Sequence, residues 1–314
     1  MQPRIAVLSG LLAIVSALWL FQGLGGNWRF VLDLRLGKLA ALLLVAASVG
    51  MATILFQTVA QNRILTPAIM GFDALYLLIQ SVMIASLGTV GFAGLPTGLK
   101  FAAEAAVMAG VAVALFGAML GQARGDSIGR TILTGVVLGI LFRSGATLVT
   151  RMLDPNEYSI VQQVSFANFS RPVTETTAWA AMVALPAMAA ALWLAPRLDV
   201  LALGRDSAIS LGLGHRRMVL FTLALVAVLT AVSTALVGPV ALFGLIIAGF
   251  AHSILPDARH LRLLIAAALI AAVLLVGGQW AFERVLGLKA TLSVVIEFLG
   301  GVFFLTLLLR GKVR

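Results

Sequence analysis

The 314-residue sequence contains no cysteine and few charged residues, with 11% charged against 61% hydrophobic. The absence of cysteine excludes disulfides, thiolate metal sites and cysteine nucleophiles. A soluble domain carries about 25% charged residues, so this chain has too few charges to cover a surface that faces water. The apolar runs also lack the period-two alternation of a membrane β-barrel. At about 20 apolar residues per span, the composition predicts about nine or ten membrane-spanning helices.

Ten apolar runs are candidates for these helices. They cover residues 5–24, 39–57, 74–93, 101–121, 131–150, 176–195, 218–237, 240–255, 262–280 and 290–309. The first run has no Ala-x-Ala-like cleavage site after it, which indicates an uncleaved span. Because no linker or change of composition divides the chain, we expect one transmembrane domain over residues 1–314. The predicted fold class is an all-α polytopic membrane protein with about ten transmembrane helices.

The basic residues predict membrane orientation and not nucleic-acid binding. The net charge of +10 comes from Lys and Arg gathered in short segments between the apolar runs. Of the 22 Lys and Arg residues, Arg143 lies inside a run, thirteen lie on the side of both termini and eight on the other side. The positive-inside rule therefore places both termini in the cytoplasm. The sequence has no G-x-x-x-x-G-K-[ST] motif, so ATP that drives transport would be bound by another chain.

Two connections between runs are long enough to be functional or structured, the external segment 151–175 and the cytoplasmic segment 196–217. Within the second, Leu203–Gly212 predicts a short surface helix. We expect Asp206 to cap its start and Gly212 to end it in a left-handed conformation. Such a helix suits either contact with a soluble partner or an ordinary interfacial connection, and the pattern alone leaves both open.

Small residues recur along the fourth and fifth runs and predict close packing of helices. They are Ala102, Ala106, Gly110, Ala114, Gly117 and Gly121 in the fourth run, and Gly135 and Gly139 in the fifth.

Arg143 is a charge deep inside a predicted span, about 12 residues or roughly 18 Å from its inner end. At that depth a charge must face protein or water. Thr147 and Arg151 follow at four-residue steps, so one helix face carries two cations towards the outside. Two interpretations remain open. Arg143 lines a path for an anionic solute, or it forms a structural ion pair with Glu104 or Glu297.

The three histidines, His215, His252 and His260, have no second ligand at helical spacing within the membrane, so no metal site is expected. No Ser/His/Asp or paired-carboxylate arrangement indicates an enzyme.

Four segments resemble a known family. Arg35–Lys38 is similar to the R-L-P-R that opens helix two, and Phe56–Gly71 is similar to L-Q-x-x-x-x-N-P-L-A-x-P-x-x-L-G. Leu203–Gly212 matches L-G-x-x-x-A-x-x-L-G in full, and Gly238–Ile246 is similar to G-P-I-G-F-V-G-L-I. From about residue 30 onwards, the chain resembles the ten-helix permease subunits of binding-protein-dependent ABC importers for iron-siderophore, haem and vitamin B12, which have the type II importer fold.

The departures from the family pattern point to a subgroup. Arg63–Leu65 replaces Pro-Leu-Ala, and Ile247–His252 replaces V-P-H-x-x-R, so the expected proline kink of the eighth helix is missing. Together with Pro67–Tyr76 and the external Asp154–Glu157, these features resemble permeases for catecholate and mixed-type siderophores, such as vibriobactin, petrobactin and anguibactin.

The resemblance implies a membrane-embedded permease subunit that moves a ferric siderophore into the cytoplasm by alternating access. It implies no enzymatic activity and no cofactor in this chain. Its expected partners are a second, paralogous permease, two ATPase subunits that bind ATP and Mg, a periplasmic or lipoprotein binding protein, and the lipid of the bacterial cytoplasmic (inner) membrane. A haem or cobalamin importer is the alternative within the class. An ion-coupled secondary transporter is the rival from another class.

The resemblance also assigns roles to residues. The docking segment for the ATPase would include Leu203, Gly204, Ala208, Leu211 and Gly212. The cations expected to meet acidic groups of the binding protein are Arg35, Lys38 and Arg284, which could equally form an ordinary solvated rim. The residues expected to line the translocation path are Arg143, Thr147 and Arg151.

Overall fold

The computed structural model describes residues 3–23, 26, 28–122, 128–169, 174–256, 258–284 and 292–309. Within these ranges the chain forms twelve α-helices, one short 3-10 helix and no strand. In chain order they are α1 (Pro3–Phe21), α2 (Trp28–Ala60), the 3-10 helix (Pro67–Met70), α3 (Phe72–Gly94), α4 (Thr97–Gln122), α5 (Ile128–Thr150), α6 (Pro155–Val164), α7 (Thr174–Leu201), α8 (Arg205–Ser210), α9 (His215–Val237), α10 (Phe243–Ile254), α11 (His260–Arg284) and α12 (Leu292–Leu309).

Each predicted apolar run coincides with a helix. Eight helices in the described part of the chain are long and apolar enough to cross a membrane, namely α1 to α5, α7, α9 and α11. The apolar helix α10 and the apolar part of α12 at Leu292–Val302 are shorter. The ten predicted spans therefore correspond to eight helices long enough to cross a membrane and two shorter apolar helices, α10 and α12. The remaining helices, α6 and α8, lie in the two long connections.

Helix α2 is at the centre of the bundle, where it packs against α11, α9 and α7. It is 33 residues long and begins at Trp28, so Arg35 and Lys38 lie inside the helix and not ahead of it. Two of its hydroxyl side chains donate within the helix, from Thr53 Oγ1 to Val49 O and from Thr58 Oγ1 to Ile54 O, each at 2.8 Å. This back-bonding satisfies hydroxyl groups where lipid and apolar side chains offer no partner.

The turn between α2 and α3 packs tightly against α5. Gly71 has a left-handed φ of 85°, and a Cβ added there would overlap the backbone of Gly139. A Cβ at Gly135 would lie 2.6 Å from Cε of Met70. The close packing predicted for Gly135 and Gly139 is confirmed, and its partner is the turn around Gly71 instead of a second long helix.

The small residues of α4 behave differently. Ala102, Ala106, Gly110 and Ala114 all lie on the exposed side of the helix. A Cβ added at Gly110 or Gly117 would have no atom within 4 Å. The prediction of close packing is therefore wrong for this stripe within the described chain, while Gly121 lies among the residues whose side chains are not described.

The part of the long connection 151–175 that the structure describes, residues 151–169 and 174–175, is structured, as expected. Glu157 accepts a hydrogen bond from the backbone N–H of Asp154 at 3.2 Å, which completes a capping box at the start of α6. Val161 of α6 packs against Ile84 and Phe92 of α3. Further along, the Asn168 N–H donates to Val237 O at 2.6 Å. The connection is thus folded against α3 and the end of α9 at Val237.

Candidate functional site

The predicted path residues lie together on one face of α5. Arg143, Thr147 and Arg151 are all exposed, and Thr147 Oγ1 donates to Arg143 O at 2.9 Å. The opposite side of α5 packs against α3 and the 3-10 helix. Leu141 and Leu148 flank the cations and are 61% and 65% exposed. This wide face is therefore available to a neighbouring subunit or to a path.

The ion-pair interpretation of Arg143 finds no partner among the described residues. Glu104 is 2% exposed, and its Oε1 lies 3.9 Å from Nζ of Lys100 on the preceding turn of α4. Neither Glu104 nor Glu297 forms an ion pair with Arg143 within the described ranges. A third carboxylate, Asp73 at the start of α3, also forms no ion pair with Arg143 within these ranges.

Asp73 lines a small polar cavity that the sequence reasoning missed. The cavity lies between α2, α3, α9 and the start of α10, and its volume is about 30 Å³. Its polar lining comprises Asp73, Thr53, Thr66, Thr230, Ser233 and Thr234. Thr230 Oγ1 is buried and has no protein partner, and the volume suffices for about two water molecules. The spacing of Thr230, Ser233 and Thr234 on one face of α9 is the signal that could have predicted this polar spot.

Helix α8 is the short helix predicted for the connection 196–217. Gly212 has a φ of 80° and its N–H donates to Ile209 O at 2.9 Å, while the Leu213 N–H donates to Ala208 O at 2.9 Å. This is the Schellman arrangement that ends a helix at a left-handed glycine, so the role expected for Gly212 is confirmed. The capping role expected for Asp206 is wrong. Gly204, with a φ of 92°, takes the N-cap position, and Asp206 lies inside the helix.

The two sides of the α8 segment differ in exposure. Ala208 is fully buried, whereas Leu203, Ile209 and Leu211 are 60%, 51% and 63% exposed. Ala208 therefore packs α8 against the rest of the bundle. The three large exposed side chains, Leu203, Ile209 and Leu211, are called the apolar knob below. Ile209 falls at a variable position of the family pattern and was not predicted.

A hydrogen-bonded clasp joins three helices next to α8. Asp199 Oδ1 of α7 accepts from the His260 N–H at 2.8 Å and lies 2.7 Å from His260 Nδ1. His260 Nε2 lies 2.9 Å from Thr58 Oγ1 of α2. The clasp fastens the end of α7, which leads into α8, to α2 and α11.

The three expected docking cations converge at the opposite end of the bundle. Arg35 Nη1 donates to Leu20 O at 2.8 Å and to Gln22 O at 2.9 Å, and Arg284 Nη2 donates to Gln22 O at 2.9 Å. Lys38 Nζ lies 3.9 Å from Oε1 of Glu283. Arg35 therefore caps the carbonyl end of α1, where a cation also complements the helix dipole. Arg284 remains exposed, while Arg35 and Lys38 are half-buried.

No three His, Asp or Glu side chains in the described ranges come together in a way that could hold a metal ion. Surface features of the described chain are the cationic face of α5, the apolar knob at α8, and the cluster of Arg35, Lys38 and Arg284 near the end of α1.

A bundle of long apolar helices defines a multi-pass membrane protein. The chain belongs to the FecCD transport family, which it matches over residues 6–310.

Relatives at full length are also permeases. The chain is 36% identical over 310 residues to the petrobactin import system permease protein YclO of Bacillus subtilis (strain 168), covering 98% of both chains. It is 28% and 22% identical to the petrobactin import system permease proteins FatC and FatD of Bacillus anthracis. These matches cover 90% of this chain and 79% of FatC, and 98% of this chain and 90% of FatD.

The fold has a solved counterpart. A metal-chelate type ABC transporter in an inward-facing conformation superposes with a TM-score of 0.84 at 20% identity, covering 98% of each chain. This likeness confirms the importer permease fold expected for the bundle.

Replacing Arg35 with Gln should loosen α1 from the bundle. The substitution removes hydrogen bonds from a charged donor to the end of α1, each with a net contribution of about 1.5–3 kcal/mol. Arg29→Gln is the matched control, because Arg29 is exposed and contacts only the ring of its neighbour Trp28, at 5.3 Å, among the described residues. Thermal unfolding in detergent should show a lower Tm for Arg35→Gln and an unchanged Tm for Arg29→Gln. Equal shifts would contradict the capping role.

Proposed function

We propose that the chain is the membrane subunit of an ATP-driven importer that brings a ferric siderophore of the catecholate or mixed type into the cytoplasm. The observation that carries this proposal is the 36% identity to a petrobactin import permease over 98% of both chains. The alternative, import of haem or cobalamin, rests on less similar relatives, a vitamin B12 import permease at 27% identity and a hemin transport permease at 24%. The chain binds no cofactor of its own, and ATP and Mg belong to a separate ATPase.

The assembly we propose contains two different permeases, two ATPase subunits and an external binding protein. The similarity of this chain to both FatC and FatD, two permeases carrying the same petrobactin description, supports pairing with a paralogue. The exposed face of α5 offers the surface for that pairing. A pairing of two copies of this chain that transports would contradict the heterodimer.

The orientation we propose puts both termini in the cytoplasm of the cell, with the chain in the cytoplasmic membrane. Arg4 of α1 donates to Ile254 O at the end of α10, which supports a shared side for the start of α1 and the end of α10. One hydrophobic cluster extends from Trp19 of α1 to Ile296 of α12, which supports a single domain over residues 1–314.

The translocation path in this proposal runs along α5. Ferric catecholates are anionic, and Arg143 and Arg151 give the outer part of α5 a positive face. Thr147 lies between them and adds a neutral hydroxyl. A path with more strong cations would retain the solute, so one or two such charges fit a route that must also release it.

Coupling to ATP hydrolysis would occur at the α8 segment. The apolar knob of Leu203, Ile209 and Leu211 would dock on the ATPase, with Ala208 and the glycines Gly204 and Gly212 holding its shape. Movement of the knob would reach the bundle through α7 and the clasp of Asp199, His260 and Thr58.

The binding protein would dock at the opposite end, on the exposed Arg284 and the half-buried Lys38. Arg35 would contribute to this surface only indirectly, because its guanidinium is hydrogen-bonded to the end of α1. Exposed charges of this kind steer the encounter and set its register more than they add affinity.

Transport by the reconstituted complex tests the class of transporter. In proteoliposomes that contain this chain, its permease partner and the ATPase, uptake of iron chelate should require ATP and the binding protein. Imposed proton or sodium gradients should have no effect on the rate. Uptake driven by a gradient without ATP would favour the secondary transporter.

Leu211→Glu should uncouple ATP hydrolysis from uptake. One buried leucine contributes about 1.5–3 kcal/mol, so uptake should fall at least about tenfold while the chain stays in the membrane. Leu211→Met, which keeps the apolar contact, should retain uptake. Ala208→Glu should instead lower the amount of folded protein, since Ala208 is buried. Normal uptake by Leu211→Glu would contradict docking through the knob.

Arg143→Gln should slow uptake of an anionic ferric chelate without changing the amount of folded complex. One charge acting across about 4 Å of water contributes about 1 kcal/mol, or about fivefold in rate. Arg143→Lys keeps the charge and is the matched control. Loss of expression with Gln but not with Lys would favour a structural ion pair, and an unchanged rate would exclude Arg143 from the path.

A further inference from the structure

An apolar groove lies between α4 and α9, away from the α5 face. Its volume is about 360 Å³, and its walls include Val113 and Gly117 of α4 and Leu220 and Phe221 of α9. Val113 and Phe221 are 41% and 49% exposed, so the groove opens outwards. A Cβ added at Gly117 would have nothing within 4 Å, which leaves this wall without a side chain.

The groove has one charged residue, Arg217, at its end. Arg217 is the third residue of α9, and Ala224, which also lines the groove, lies seven residues further along. At 1.5 Å per residue the groove extends about 10 Å from Arg217 into the apolar part of the span. The groove is open along one side, and its apolar walls over this length suit an extended hydrocarbon chain.

Arg217 is exposed and forms no hydrogen bond or ion pair with the residues that the structure describes. A guanidinium at the rim of a membrane-embedded groove has the geometry to bind a phosphate group with two parallel hydrogen bonds. Basic pockets between spans on the cytoplasmic side bind anionic lipid headgroups in this way.

We propose that the groove between α4 and α9 binds one acyl chain of an anionic phospholipid, with the lipid phosphate on Arg217. The apolar walls match the chain, and the single cation at the mouth matches the headgroup. The assignment to the cytoplasmic leaflet depends on the proposed orientation, whereas the site itself does not depend on the transported substrate.

The chain offers a matched pair of variants for the test. Arg217→Gln removes the cation at the groove, and Arg216→Gln removes the same charge from the neighbouring residue, which is also exposed but does not line the groove. Gly117→Phe fills the groove from a position with open space beside it.

Native mass spectrometry of the delipidated full-length chain, titrated with phosphatidylglycerol or phosphatidylcholine, measures the binding. The unmodified chain should retain one phosphatidylglycerol more strongly than phosphatidylcholine. Arg217→Gln should weaken phosphatidylglycerol about fivefold, Arg216→Gln should not, and Gly117→Phe should abolish retention of both. Equal retention of the two lipids by the unmodified chain, equal effects of the two Arg variants, or full retention by Gly117→Phe would overturn the proposal.

A second measurement tests whether another copy of this chain covers the groove. Because the chain has no cysteine, Phe221→Cys introduces a single reactive thiol. In native membranes it should react with a lipid-soluble maleimide and form no cross-linked dimer. A disulfide between two copies would place a second chain over the groove and contradict the lipid assignment.

Discussion

The hydrocarbon of a bilayer provides no hydrogen-bond partners, and the positions of the polar groups in this chain follow from that constraint. Thr53 and Thr58 donate to their own helix, and the cavity beside Asp73 gathers hydroxyl groups that would otherwise face apolar surroundings. At the end of α1 the orphan carbonyls are met by Arg35 from α2. The Arg143 side chain forms no ion pair with the residues that the structure describes, so its position is informative about function.

The same constraint shapes the two ends of the bundle. In the α8 segment Leu203 and Leu211 are exposed, and Gly212 ends the helix in a left-handed conformation. The clasp at His260 ties the helix that leads into this segment to the centre of the bundle. A displacement at the knob thus has a hydrogen-bonded route to α2 and α11, while the α5 face on the edge of the chain remains open to a partner.

Much of this architecture could be predicted from the sequence, because length and hydropathy determine where a chain can cross a membrane. The positions of the spans and the glycine at the end of α8 depend on local properties and were correct. The burial of Ala208 and the use of Arg35 as a cap depend on how distant helices pack, which no spacing reveals. The predicted capping role of Asp206 is wrong because Gly204, two residues earlier, takes the N-cap position.

The central claim is that a ferric siderophore is the substrate, and the ATPase activity of the purified complex tests it most directly. With its binding protein present, the complex should hydrolyse ATP faster when a ferric catecholate or mixed-type siderophore is added. Haem, cobalamin and the iron-free siderophore should leave the rate at its basal value. Stimulation by haem or cobalamin, without stimulation by any ferric siderophore, would contradict the account.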